Sequence, residues 1–192
     1  MISDSQEIIQ ANSILEKTKE IMREEKIPFN EDIEIGAMIE TPSSAICCNQ
    51  ILKEVDFISI GTNDLIQYIL AVDRVNEKVA HLYQPYNPAI LKMLKSVFDS
   101  AQETGKKVSI CGELGGDPMI TLFLLGLGNL DSLSMDPHSI PHVKKIICQS
   151  NLNEAKEFSK QLLKLNTTND IHCFLNSEMR KRYPYDFQEN PN

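Results

Sequence analysis

Asp56-Phe-Ile-Ser-Ile-Gly-Thr-Asn-Asp-Leu65 decides the fold: an apolar run with the composition of a buried strand ends in a glycine, a hydroxyl, an amide and a carboxylate. In a barrel of alternating strands and helices the strand bodies are packed core, and the residues just past each strand's carboxyl end face the open site. Two further stretches end the same way, Ile33-Glu-Ile-Gly-Ala-Met-Ile-Glu40-Thr41 and Val108-Ser-Ile-Cys111-Gly112-Glu113. Three polar rims on neighbouring strands imply one shared mouth.

Outward from these stretches, the spacing of Ile8, Ile9, Ile14, Leu15, Ile21 and Met22 predicts a covering helix over 6–25, followed by a strand over 33–39. Thr41-Pro42 then caps a helix running through Leu52, Asn87-Pro88 opens one stopped by Gly105, and Asp117-Pro118 opens one reaching Leu127. Asp131–Asp136 reads as a fourth short strand and Ile140–Cys148 as a fourth helix. The pattern is α/β, with about four parallel strand-helix units, roughly half of an eight-stranded barrel of the (β/α)8 TIM type. A small open doubly wound sheet is the alternative. Half a barrel leaves two bare edges, so it should find a complement, a second copy or a separate first half. Residues 151–192 change character, with Phe158, Leu162, Leu163 and Leu165 on one helix, a polar break at 167–169 and a basic last helix. The expected division is therefore a barrel part over 1–150 and a helical tail over 151–192, packed on the outside or on a second subunit.

Composition narrows the function classes. A formal net charge of -8 with no basic cluster argues against a nucleic-acid partner, because phosphate contacts need a clustered basic face. No apolar run approaches the length needed to span a bilayer, and the first residues lack a signal-like pattern, so a cytoplasmic protein without membrane insertion is expected. The five cysteines are odd in number and show no paired metal or redox spacing, which implies reduced thiols. His81, His138, His142 and His172 show no ligand spacing either, and read as loop or surface histidines.

Glu40 and Asp64, ending successive strands, suit Mg²⁺, which is commonly held by one or two carboxylates plus waters and substrate oxygens. Either acid can equally cap the helix that follows it. Asn63 beside a Gly-Thr turn is a plausible cradle for phosphoryl oxygens, and the planar fork of Arg74 can grip phosphate or carboxylate. Cys111 at the third rim can donate a proton to a carbanion or enolate, since an ordinary thiol is mostly protonated at neutral pH. A Mg²⁺-dependent carbon-carbon lyase acting on a pyruvate enolate would need the two acids, but neither Arg74 nor Cys111.

Taken together, Gly36-Ala-Met-Ile-Glu40-Thr-Pro, Phe57-Ile-Ser-Ile-Gly-Thr-Asn-Asp64-Leu-Ile-Gln-Tyr, Ala71-Val-Asp-Arg74, His81-Leu-Tyr-Gln-Pro and Ile110-Cys111-Gly-Glu-Leu-Gly-Gly-Asp resemble the phosphoenolpyruvate-utilising enzymes. Within them the resemblance is to the phosphoenolpyruvate-protein phosphotransferases, Enzyme I of the bacterial sugar phosphotransferase system. It implies a barrel that binds phosphoenolpyruvate and Mg²⁺, transfers the phosphoryl group to a histidine on another domain and then to a histidine phosphocarrier protein, and releases pyruvate. On that pattern Glu40 and Asp64 match the metal ligands, Asn63, Asp64 and Arg74 the substrate contacts, and Cys111 the proton donor to enolpyruvate. Nothing in the sequence resembles the phosphohistidine domain or the first barrel half. The resemblance therefore implies the carboxyl-terminal part of such a barrel, unable to complete the transfer unaided, or a non-catalytic complementing or dimerisation fragment. Three departures from the pattern stand out: Val75 where a glycine is usual, an extra Asn129, and Asp136-Pro-His138 on the fourth rim.

Overall fold

The computed structural model describes residues 1–187; residues 188–192, the end of the expected tail, lie outside the described residues. Helix α1 (Ser5–Glu24) opens on a capping box, in which Asp4 accepts from Gln6 and Glu7 N–H and Glu7 accepts from Asp4 N–H. Strand β1 (Gly36–Ile39) leads into two short helices, α2 (Pro42–Ile46) and α3 (Cys48–Ile51). Strand β2 (Phe57–Gly61) passes directly into α4 (Thr62–Leu70), and a loop leads to α5 (Pro88–Thr104). Then come β3 (Lys107–Cys111), α6 (Pro118–Leu127), β4 (Leu130–Leu133), α7 (Ile140–Gln149), α8 (Leu152–Leu162) and α9 (Thr168–Arg182). Thr41, Asn87 and Asp117 each cap a helix whose first residue is proline, and Gly105 stops α5 at φ +67°.

The four strands are parallel and pair in sequence order, β1-β2-β3-β4. Alternation sends Ala37, Ile39, Ile58, Ile60, Val108 and Ile110 to one face, where all are buried under the helices. Each such isoleucine or valine contributes about 1.5–3 kcal/mol when fully removed from water. Phe98 on α5 and Phe123 on α6 are the largest side chains in that layer and are fully buried. The opposite face carries Met38, Phe57, Ser59, Lys107, Ser109, Cys111 and Ser132 and is open. One helix layer over one face of an ordered parallel sheet is half of a (β/α)8 barrel, as the sequence predicts.

Several boundaries differ from expectation. The first strand begins at Gly36 rather than Ile33, because Asp56 takes Ile35 N–H at 2.8 Å on its carboxylate and gives its own N–H to Ile35 O at 2.7 Å. Ile33 is consequently 54% exposed. The expected helix through Leu52 breaks at Cys47, whose backbone leaves the helical region at φ -92°, ψ 19°. The fourth strand ends at Leu133, after which Ser134 N–H makes one last bond to Ile110 O at 2.8 Å. A register shift between Val108 and Ser109 lets both Leu130 and Leu133 turn toward the core. Asn129 sits in the tight α6–β4 turn at φ +57° and donates to Lys106 O, a conformation that asparagine tolerates.

The tail is bound to its own chain. Ala155, Phe158, Ser159 and Leu162 on α8 are buried, and Gly126 on α6 lies so close that a Cβ there would stand 2.1 Å from both Ala155 O and Ser159 Oγ. Ile171, Leu175 and Met179 anchor α9.

Candidate functional site

At the carboxyl ends of β1, β2 and β3 the structure brings Glu40, Asn63, Asp64, Arg74 and Cys111 around one open depression of about 190 Å³, floored by Met38, Gly61, Thr62 and Gly112. Strand register sets the level: Gly61 pairs with Cys111, and Ile39, one residue before Glu40, pairs with Ile60, one residue before Gly61. The glycine is required by close approach, since a Cβ at Gly61 would stand 2.9 Å from Glu40 Oε2 and 3.2 Å from Met38 Sδ. At Gly112, with φ +97°, a side chain would meet Thr62 Oγ1 at 2.6 Å and Asn63 Oδ1 at 2.9 Å.

Asp64 does not end β2. It lies in the first turn of α4, whose cap Gly61 offers no side-chain bond, so its carboxylate also faces the positive end of that helix. Arg74 follows α4 rather than β2. This helix is not among the expected ones because Gly61-Thr62-Asn63-Asp64 has the composition of a turn, although Leu65, Ile66, Ile69 and Leu70 carry its apolar spacing.

The site residues are held by their neighbours. Thr62 Oγ1 donates to Cys111 O at 2.8 Å and ties the ends of β2 and β3 together. Asn63 Oδ1 accepts Glu113 N–H at 3.0 Å, which turns the amide NH2 end away from that bond. Glu113 Oε1 meets Arg74 Nη1 at 3.1 Å, and Tyr83 OH donates to Asn63 O at 3.4 Å. Glu113 is not among the expected site residues, although it stands directly after Cys111-Gly112. Burial, reinforced by the nearby charge of Glu113, pushes the Tyr83 hydroxyl up to about 12. Glu40 Oε1 lies 3.7 Å from the amino group of Met1.

The depression continues past Asn63, Gly112 and Glu113 into a wider one of about 370 Å³ lined by Ser134, Met135, Asp136 and Ser139. His138 points no ring into either lining, and its N–H caps on Asp136 Oδ1 at 2.8 Å. His81 and His138 are exposed as expected. The other two histidines lie on helices and are partly exposed: His142 on α7 makes no hydrogen bond through Nε2, which stands 3.8 Å from Asp186 Oδ1, and His172 on α9 packs edge-on against Tyr86 with centroids 4.8 Å apart. All five cysteines are free thiols, and burial drives the Cys48 thiol up to about 12, as suits an inert core residue.

Two carboxylates with hard oxygen donors, set over a glycine floor, fit a magnesium ion that keeps part of its coordination for other oxygens. Among the described residues no group of three or more His, Cys, Asp or Glu side chains is placed to hold a metal, so protein ligands alone would not fill such a shell. No helix among the described residues is long and apolar enough to cross a membrane.

Comparison with known proteins gives a family. Residues 1–152 match the model of the PEP-utilising enzyme family, PEP-binding domain. The chain is 45% identical over 177 residues to the phosphoenolpyruvate-protein phosphotransferase of Buchnera aphidicola subsp. Baizongia pistaciae, covering 92% of this chain and 31% of that protein. To the phosphotransferases of Bacillus subtilis and Haemophilus influenzae it is 45% identical over 175 and 171 residues, covering 91% and 89% of this chain and 30% of each relative. The chain thus spans a little under a third of the length of these relatives.

Proposed function

The chain belongs to the PEP-utilising enzymes as their PEP-binding domain, and we propose that the Glu40–Cys111 mouth binds phosphoenolpyruvate and Mg²⁺ as the donor site of a PEP-protein phosphotransferase. Glu40 and Asp64 would hold the metal, whose chemistry there is to neutralise the oxygens of the substrate during phosphoryl loss. Asn63 presents its amide NH2 to the phosphate, and Arg74 exchanges Glu113 for a bidentate grip on it. When the phosphoryl group leaves, the enolate of pyruvate remains, and the Cys111 S–H bond breaks as a C–H bond forms at its methylene carbon. The acceptor histidine lies on another part of the phosphotransferase, outside these 192 residues, and from it the group passes to a histidine phosphocarrier protein in sugar uptake in the cytoplasm.

One observation carries the reading: all five side chains line a single depression at one end of the sheet. Arg74 and Cys111 in that lining favour phosphoryl transfer over the carbon-carbon lyase, which uses neither. Incubation of the purified chain with labelled phosphoenolpyruvate and Mg²⁺ should leave no label on the protein, since no histidine lines the mouth. Retained label would overturn the assignment.

The open face and edges also support a complementing partner. In chain order α1 precedes β1 and α7 follows β4, so each edge strand already has a neighbouring helix, and the remaining half would bring strands to both edges but no helix for either seam. A second copy would bring a second helix to each seam, which disfavours barrel closure by self-association. On this reading residues 1–150 are the barrel part and 151–192 the tail, whose described helices α8 and α9 back it.

A further inference from the structure

The geometry points to Ser59 as the residue that positions the Cys111 thiol and stabilises the thiolate left when its proton is given up, an inference that rests on Cys111 being the proton donor. Met38, Ser59 and Ser109 form one row across the open face, and Cys111 stands two residues beyond Ser109 on the same side. Gly61, level with Cys111, has no side chain, so the sulfur reaches across β2 to within 3.5 Å of Ile60 O and 3.7 Å of Met38 Sδ. In that position the Ser59 hydroxyl donates to it at 3.6 Å.

These three neighbours differ in what they can offer. The Ile60 carbonyl and the Met38 thioether are acceptors, suited to the S–H form and unable to support a negative sulfur. Ser59 is the donor among them. Its row-mates Ser109 and Ser132 bond to each other at 2.8 Å, whereas the Ser59 hydroxyl is turned to the sulfur. Glu40 at the end of β1 with the Met1 amino group 3.7 Å from it, Asp64 on α4, Arg74 after α4 and Glu113 after β3 are charged groups around the same mouth. Arg74 is held by Glu113 in the free chain and by the phosphate on the proposed reading, so the Ser59 hydroxyl, 3.6 Å from the sulfur, is the nearest support for the thiolate. The proton moves from Sγ to the enolate carbon, the electron pair stays on sulfur, and Ser59 keeps its own proton throughout.

The test follows iodoacetamide alkylation of Cys111 in the purified chain by peptide mass spectrometry, which separates it from the other four cysteines. Rates are taken from about pH 6 to about pH 10, bracketing an ordinary thiol. Ser59→Ala should lower the rate at neutral pH about tenfold and move the half-plateau pH up by about one unit, as loss of a hydrogen bond to an anion implies, with the alkaline plateau unchanged. Ser59→Thr keeps the hydroxyl and should stay within about twofold of the parent. Should alanine disturb the strand in a thermal melt, Ser59→Gly is read for the same shift. Unchanged profiles in the hydroxyl-free variants, or equal changes in the alanine and threonine variants, would overturn the proposal. The assay needs neither phosphoenolpyruvate nor metal, so a parent chain that fails to bind either would defeat the functional reading without altering this result.

Discussion

The two faces of the sheet use the same strands for opposite ends. On the helix side Ile39, Ile58, Ile60, Val108 and Ile110 are fully buried and mutually packed. On the open side the same strands carry Met38, Ser59, Ser109 and Cys111 into a shallow polar space, with glycine wherever a side chain would fill it. Alternation with period two makes this division unavoidable, since a residue cannot serve both faces. Stability is therefore concentrated on one side and chemistry on the other, and substitutions should separate them.

The largest separation is expected from Phe98→Ala, which empties a fully buried site and should cost about 3–5 kcal/mol in urea denaturation, against less than about 1 kcal/mol for the open-face Met38→Ala. A similar loss from both would mean that the open face is packed core in solution. Two glycines sharpen the contrast. Gly126→Ala drives a methyl into the backbone of α8 and should destabilise by about 1–3 kcal/mol, loosening the tail, which limited proteolysis between α7 and α8 would detect. Gly61→Ala pushes on the Glu40 carboxylate instead, and should weaken divalent-cation binding about tenfold with a smaller change in melting temperature.

Alkaline titration tests the wall beyond the mouth. The Tyr83 hydroxyl is pushed up to about 12, chiefly by burial, and Tyr86 is raised further by burial and by the carboxylate of Asp117, to which it is hydrogen-bonded. Both stay protonated in the folded chain at pH values where an unfolded tyrosine, near about 10, ionises. Their contribution to stability is fully present below the unfolded value and is lost as pH rises toward the folded ones. Denaturation midpoints should thus fall from about pH 10 upward, and less steeply in Tyr86→Phe. The smallest effect is expected at Glu113→Gln, which releases Arg74 from an exposed ion pair and should tighten binding of a phosphate-bearing ligand by about two- to threefold in calorimetry.

Much of the fold was legible because its signals are local. A polar residue followed by proline marked the starts of α2, α5 and α6, and the apolar runs ending in Glu40 and Cys111 placed two rims correctly. What was not legible depends on partners distant in sequence. The late start of β1 is set by Asp56, twenty-one residues away, and the kink at Cys47 has no sequence mark. Helix α4 begins without a side-chain cap, so Asp64 looked like a strand end. The role of Glu113 in holding both Asn63 and Arg74 exists only once three segments meet. The five expected site residues still converge, because strand register, not loop detail, sets their level.

Binding of Mn²⁺, a paramagnetic substitute for Mg²⁺, followed by electron paramagnetic resonance with and without phosphoenolpyruvate, tests the central claim most directly. The parent chain should bind the ion at one site with an affinity that rises when phosphoenolpyruvate is added, and Glu40→Gln and Asp64→Asn should each weaken it at least about tenfold. Equal binding by the parent and a Glu40→Gln/Asp64→Asn double variant would place the ion elsewhere and contradict the assignment of this mouth.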